Sequence, residues 1–123
     1  MIKILVVDDE MDVCDFVKSF FEERDYRVYI ALNGFDALRI VKSEKPDIIL
    51  LDIRMKQMDG IEALKKIKAI DEDAKVIMVT AVVEQDKIDT ACKLGACRYI
   101  TKPLILEELE SAVLAESKEV KNA

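Results

Sequence analysis

The 123 residues are enough for one hydrophobic core and too few for two domains of ordinary size, so a single domain over 1–123 is expected. An apolar share of 51% beside 36% charged residues excludes a disordered chain, and the longest apolar runs, 4–7 and 48–51, are far too short to cross a bilayer. With 19 basic against 25 acidic side chains and no lysine-arginine block, the chain lacks the positive footprint of a nucleic-acid binder. Three cysteines without a CxxC, and no histidine, argue against a disulfide framework or a nitrogen-sulfur metal site.

Residues 2–7 form an apolar, branched run stopped by Asp8-Asp9-Glu10, which reads as a buried parallel strand and its turn. The run is too short for a secretory signal and no small-residue cleavage site follows, so a cytoplasmic location is expected. Val13, Phe16, Val17, Phe20 and Phe21 recur at helical spacing and predict an amphipathic helix, packed through them and ending near Arg24. Tyr26–Ala31 reads as a second strand, Asn33-Gly34 as a turn, and Ala37, Leu38 and Val41 as the buried side of a helix that stops before Pro46. Ile48–Leu51 is the most apolar strand and leads into Asp52.

Asp59 and Glu62 have the spacing of a reciprocal capping box, opening a helix with Ile61, Leu64, Ile67 and Ile70 inward. A fourth strand, Val76–Val79, runs into Thr80, and a helix over about 84–94 ends at Gly95, a left-handed cap. Arg98–Thr101 is a short fifth strand closed by Lys102-Pro103. The last helix carries Leu106, Leu109, Val113 and Leu114, with 117–123 expected to fray. This alternation predicts an α/β fold: a five-stranded, doubly wound parallel sheet with helices on both faces.

Four of the five strands thus end in polar side chains: Asp8 with Asp9, then Asp52, Thr80 and Lys102. Ligands of such sheets bind beyond the carboxyl ends of the strands, where residues far apart in sequence share one crevice. Crowded carboxylates call for a cation, and Mg2+, a hard ion that keeps several waters, suits one or two direct carboxylates, with Mn2+ as a substitute. A carboxylate nucleophile, a metal, an ammonium and a hydroxyl together meet the needs of phosphoryl transfer. Taken singly, the acids also read as turn or N-cap residues, and Thr80 and Lys102 as ordinary strand-end side chains.

The segments Val6-Val7-Asp8-Asp9-Glu10, Asp47-Ile48-Ile49-Leu50-Leu51-Asp52, Met58-Asp59-Gly60, Val79-Thr80-Ala81 and Tyr99-Ile100-Thr101-Lys102-Pro103, in that order and spacing, resemble the receiver domain of bacterial two-component response regulators over almost the whole chain. The resemblance implies a flavodoxin-like sheet of order 2-1-3-4-5, an order taken from the family. It implies Asp52 as phosphoacceptor, Asp9 as a direct metal ligand, Asp8 acting mainly through water, and the backbone carbonyl of Arg54 completing the coordination. Thr80 and Lys102 would bind the phosphoryl oxygens, Thr80 and Tyr99 would form the switch, and the Lys102-Pro103 peptide would be cis. Partners implied are a sensor histidine kinase or histidine phosphotransfer protein and a downstream effector, with a monomer or phosphorylation-promoted homodimer and no direct contact with nucleic acid or membrane. Donor docking is expected on Met11, Cys14 and Asp15 and on loops near Lys56, Val82 and Pro103.

One position departs: the family usually has proline where this chain has Lys56, so a more mobile loop and altered donor access are expected. A metal-dependent phosphohydrolase is disfavoured, because no histidine and no spare acid is available as proton donor. A non-catalytic pseudo-receiver is disfavoured because Asp52, Lys102 and both acids at 8–9 are present. The expectation is a stand-alone phospho-switch that promotes its own aspartyl phosphorylation and dephosphorylation, chosen because the chain opens on methionine. The alternative is a receiver excised from a longer DNA-binding transcriptional regulator.

Overall fold

A computed structural model describes residues 1–121. Ten elements alternate: β1 (Lys3–Val7), α1 (Met11–Glu22), β2 (Arg27–Ala31), α2 (Gly34–Glu44), β3 (Ile48–Leu51), α3 (Gly60–Ile70), β4 (Lys75–Thr80), α4 (Gln85–Lys93), β5 (Arg98–Thr101) and α5 (Leu106–Lys121). The strands form one parallel sheet in the order β2-β1-β3-β4-β5, so β1 and β3 lie side by side at its centre. This is the doubly wound, flavodoxin-like arrangement. No helix among the described residues is long and apolar enough to cross a membrane.

Strand side chains alternate between the two faces, which is why the central strands must be apolar throughout. Leu5, Val7, Ile49, Leu51 and Met78 pack with Ala37, Val41, Leu64, Ile67 and Ala91 of α2, α3 and α4. Ile4, Val6, Ile48, Leu50 and Ile77 pack on the other face with Cys14, Val17 and Phe21 of α1 and Leu109 and Val113 of α5. Each fully buried Leu or Ile contributes roughly 1.5–3 kcal/mol by leaving water.

The helices differ from the expected pattern in three places. On α1 the buried stripe is Cys14, Val17 and Phe21, with Val13 and Phe20 partly covered, while Phe16 is 55% exposed. The chain offers two adjacent apolar stripes, and packing of α1 against β1 and β2 buries the one that includes Cys14, in a cluster shared with Leu109 and Val113 of α5. On α3 only half of the capping box forms: Asp59 accepts from the Glu62 amide at 2.9 Å, while the Glu62 carboxylate turns to Lys66 at 3.4 Å. Ile70 and Leu114, expected inward, are exposed.

The third difference is the tail. α5 stays helical through Lys121, past the point where fraying is expected, because Ser117 is buried against the body: its hydroxyl donates to the Val113 carbonyl at 2.7 Å and lies 3.2 Å from the Tyr26 hydroxyl. The expectation for 122–123 lies outside the described residues. Gly95 does adopt the left-handed conformation, with φ of 102°, one residue beyond the Leu94 cap of α4.

Candidate functional site

Strand register assembles the acidic half of the site. Val7 of β1 pairs with Leu51 of β3, so Asp8 and Asp52, each one residue further, leave adjacent central strands side by side. The Asp52 amide donates to the Val7 carbonyl at 3.1 Å, and the Asp8 amide to the Ala31 carbonyl at 3.2 Å, which holds both backbones at the sheet end. The two side chains are buried, Asp8 at 4% and Asp52 at 6% exposure, yet each accepts a local amide: Glu10 N–H to Asp8 at 3.0 Å and Arg54 N–H to Asp52 at 3.2 Å.

The cationic half comes from β5. Thr80 pairs with Thr101, and the Lys102 amide donates to the Thr80 carbonyl at 2.8 Å, so Lys102 leaves the sheet next to Thr80. The Lys102-Pro103 peptide bond is cis. The Lys102 ammonium donates to Asp8 at 2.7 Å and to Asp52 at 2.9 Å. Burial works against its charge, but these two hydrogen bonds outweigh burial and hold the ammonium up at about 12.

The remaining predicted residues sit around this core in different ways. The Thr80 hydroxyl, fully buried, accepts from the Val82 amide at 3.2 Å and makes no hydrogen bond to Asp52 or Lys102. The Tyr99 hydroxyl donates to the Val82 carbonyl at 2.6 Å, and burial, then the negative charge of Asp52, raises its pKa. Thr80 and Tyr99 therefore hold the same residue by its two backbone groups. Val82, expected as an exposed docking residue, is buried, and so is Cys14, whose thiol lies beneath the site and donates to the Asp8 carbonyl at 3.4 Å. Met11, Asp15, Lys56 and Pro103 are exposed as that docking surface requires.

Asp9 is exposed, and oxygens of Asp8, Asp9 and Glu10 lie within 4.8 Å of one another. This all-oxygen donor set, with Asp52 next to Asp8, fits a hard divalent cation and suits no soft metal. Glu10 is the member that the sequence reasoning left aside, although it completes the acidic triplet. Arg54 is exposed and its amide is bound to Asp52.

The loop from β3 to α3 carries Lys56 where the resemblance implies a proline. Met58 is buried, its amide donates to the Lys56 carbonyl at 2.8 Å, Gln57 takes a left-handed φ of 72°, and the Gly60 amide donates to the Ile53 carbonyl at 2.7 Å. A Cβ at Gly60 would run into the Asp52 carbonyl and the Ile53 Cα, so only glycine lets α3 begin this close to the phosphoacceptor candidate.

A family model described as the response regulator receiver domain matches residues 4–114. Sporulation initiation phosphotransferase F of Bacillus subtilis is 42% identical over 111 residues, covering 90% of each chain. Transcriptional regulatory protein ZraR of Klebsiella oxytoca is 40% identical over 89% of this chain, which spans only 25% of that protein. Among solved structures, a two-component response regulator from Clostridium difficile superposes with a TM-score of 0.93 at 32% identity, over 98% of both chains.

Proposed function

Because this chain belongs to the response regulator receiver domain family, we propose that it is a phosphorylation-driven signalling switch with Asp52 as phosphoacceptor. The observation that carries this reading is the single ammonium of Lys102 shared by two buried carboxylates at the ends of adjacent strands. Two negative charges on one cation leave a surplus that a second cation must balance, and Mg2+ (or Mn2+) would be held by Asp8, Asp9, Asp52 and the Arg54 carbonyl. When bound, the ion supplies charge neutralisation for the transferring group. The donor is a histidine kinase or a histidine phosphotransfer protein, and the listener is a downstream effector. Residues 1–123 act as one receiver unit.

In this reading an Asp52 carboxylate oxygen attacks phosphorus, and the donor's leaving group departs with the electron pair of the broken bond. Lys102 meets an equatorial phosphoryl oxygen, so its present bond to Asp52 is the ground-state form of a contact made later. The Thr80 hydroxyl releases the Val82 amide to reach another oxygen. That release is felt at Tyr99, which grips the carbonyl of the same residue, and phosphorylation thereby biases the exposed face of β5. The chain promotes its own phosphorylation and hydrolysis and turns over no separate metabolite.

The test is intact mass after incubation with acetyl phosphate, with and without Mg2+, for the natural chain and Asp52→Asn. A magnesium-dependent gain of one phosphoryl group that disappears in the variant is expected. A folded, magnesium-binding protein that gains nothing, even from a phosphorylated kinase, defeats the reading. A second reading, the receiver of a longer DNA-binding regulator, is favoured by the match to ZraR, of which this chain spans a quarter. An immunoblot of source cells showing a band well above 14.0 kDa would support it.

A further inference from the structure

Next to the acidic site lies an open groove of about 460 Å³, lined from the β3–α3 loop by Arg54, Lys56 and Asp59, from the start of α4 by Glu84 and Lys87, and by Asp9. Arg54, Lys56 and Lys87 are exposed, and among the described residues none lies within ion-pair distance of a carboxylate. Two of the three acids of the groove are otherwise engaged, Asp59 capping α3 and Asp9 belonging to the oxygen cluster suited to a divalent ion, while Glu84 precedes α4 without a side-chain cap. Three cations against three carboxylates make the groove formally neutral; with Asp8, Asp52 and Lys102 beside it the combined site carries one negative charge, which a divalent ion would turn to one positive. Lys56 stands on the turn anchored by Met58, so its charge is presented from a defined backbone.

We propose that Lys56 and Lys87 determine phosphodonor specificity, favouring donors whose leaving group departs as an anion over donors whose leaving group departs neutral. The inference rests on the reading of Asp52 as phosphoacceptor and deepens it. With an acyl phosphate, an Asp52 oxygen bonds to phosphorus, the bond from phosphorus to the bridging oxygen breaks, and its electron pair leaves on a carboxylate without any proton transfer. With phosphoramidate, whose nitrogen already carries its proton, the phosphorus–nitrogen bond breaks and the pair leaves on neutral ammonia. The departing group is partly anionic in the first transition state and still partly cationic in the second, so relative to free donor the cations flanking the exit stabilise the first and oppose the second.

The experiment compares second-order rate constants for acetyl phosphate and phosphoramidate, with Mg2+, on the natural chain, the double variant Lys56→Gln/Lys87→Gln, and Lys56→Arg/Lys87→Arg. The glutamine pair is expected to lower the ratio of acetyl phosphate to phosphoramidate rate constants about fivefold at low salt, an effect that shrinks at about 0.5 M salt, and the arginine pair is expected to restore the ratio. An unchanged ratio, or equal loss with both donors, overturns the inference while leaving Asp52 as phosphoacceptor. Failure of both donors to label even the natural chain is a different result, which removes the phosphoacceptor reading and this inference with it.

Discussion

The two ends of the sheet carry opposite charge and handle it differently. At the end where strands begin, β1, β2, β4 and β5 open on Lys3, Arg27, Lys75 and Arg98. Two of these cations meet one carboxylate each, Lys75 with Glu119 and Arg98 with Glu116, both at 2.9 Å. At the end where strands finish, one ammonium meets two carboxylates at 2.7 and 2.9 Å. Lys75 and Lys102 are thus nearly identical by distance. They differ in surroundings: Glu119 is 63% exposed, whereas the Asp8 and Asp52 side chains are 5% and 8% exposed. An ion pair in water is screened and contributes little, while buried charges out of balance are costly and therefore mark where a ligand is awaited.

The strongest way to break this contrast is to remove each lysine. Lys102→Met leaves Asp8 and Asp52 facing each other without a cation, and its unfolding free energy in urea is expected to fall by about 3 kcal/mol in metal-free buffer, most of it returning in millimolar Mg2+. Lys75→Met is expected to shift the urea midpoint barely at all, with or without metal. Equal losses in the two variants would show that the ends of the sheet do not differ in kind.

Alkaline titration sharpens the same point. The ordinary lysine value is 10.5 and Lys102 is held at about 12, so the stability it contributes is complete below 10.5 and disappears as pH rises through 12. Stability measured from pH 9 to 12 should fall more steeply in the natural chain than in Lys102→Met. Cys14, raised to about 12 from 9.0 chiefly by burial, adds a loss of the same sign that starts lower and is common to both proteins.

Thiol labelling compares the two regions without mutation. Cys92 and Cys97 are both exposed residues, but partial desolvation of the Cys97 sulfur and the neighbouring Glu116 raise that thiol to about 11, and Cys14 lies beneath Asp8. Iodoacetamide at neutral pH should modify Cys92 first, Cys97 more slowly, and Cys14 at least about 100-fold more slowly than Cys92 as followed by peptide mass. Early modification of Cys14 would mean that the floor of the site opens readily. The smallest effect expected is that of Glu119→Gln, where thermal unfolding should be indistinguishable from the natural chain.

Much of this was legible in the sequence, because a buried parallel strand must be apolar until it ends, which makes its first polar residue conspicuous. Asp8, Asp52 and Thr80 announce themselves in that way, whereas Lys102 follows the mixed edge strand Arg98–Thr101 and stands out by its place before Pro103. What escaped depends on partners distant in the chain. Phe16 and Cys14 lie on neighbouring stripes of α1, and the way α1 packs on β1 and β2 decides between them. Val82 follows a strand like any loop residue, and its burial under Thr80 and Tyr99 appears only when β4 and β5 are paired. The helical course of 117–121 depends on Ser117 meeting Tyr26, 91 positions earlier. Helix faces and tails are settled by tertiary contact more than by local spacing.

The division of the site between the sheet's centre and its edge also sets an order of events on the ribosome. Both buried carboxylates belong to the first 52 residues, and their ammonium partner follows 50 positions after the second of them. At typical translation speeds Asp52 precedes Lys102 by about 2.5–10 s and Asp8 by about 5–19 s, long enough for the amino-terminal strands to begin collapsing around unneutralised charge. Under the proposed metal binding, a divalent ion would hold Asp8 and Asp52 together in the nascent chain before β5 arrives.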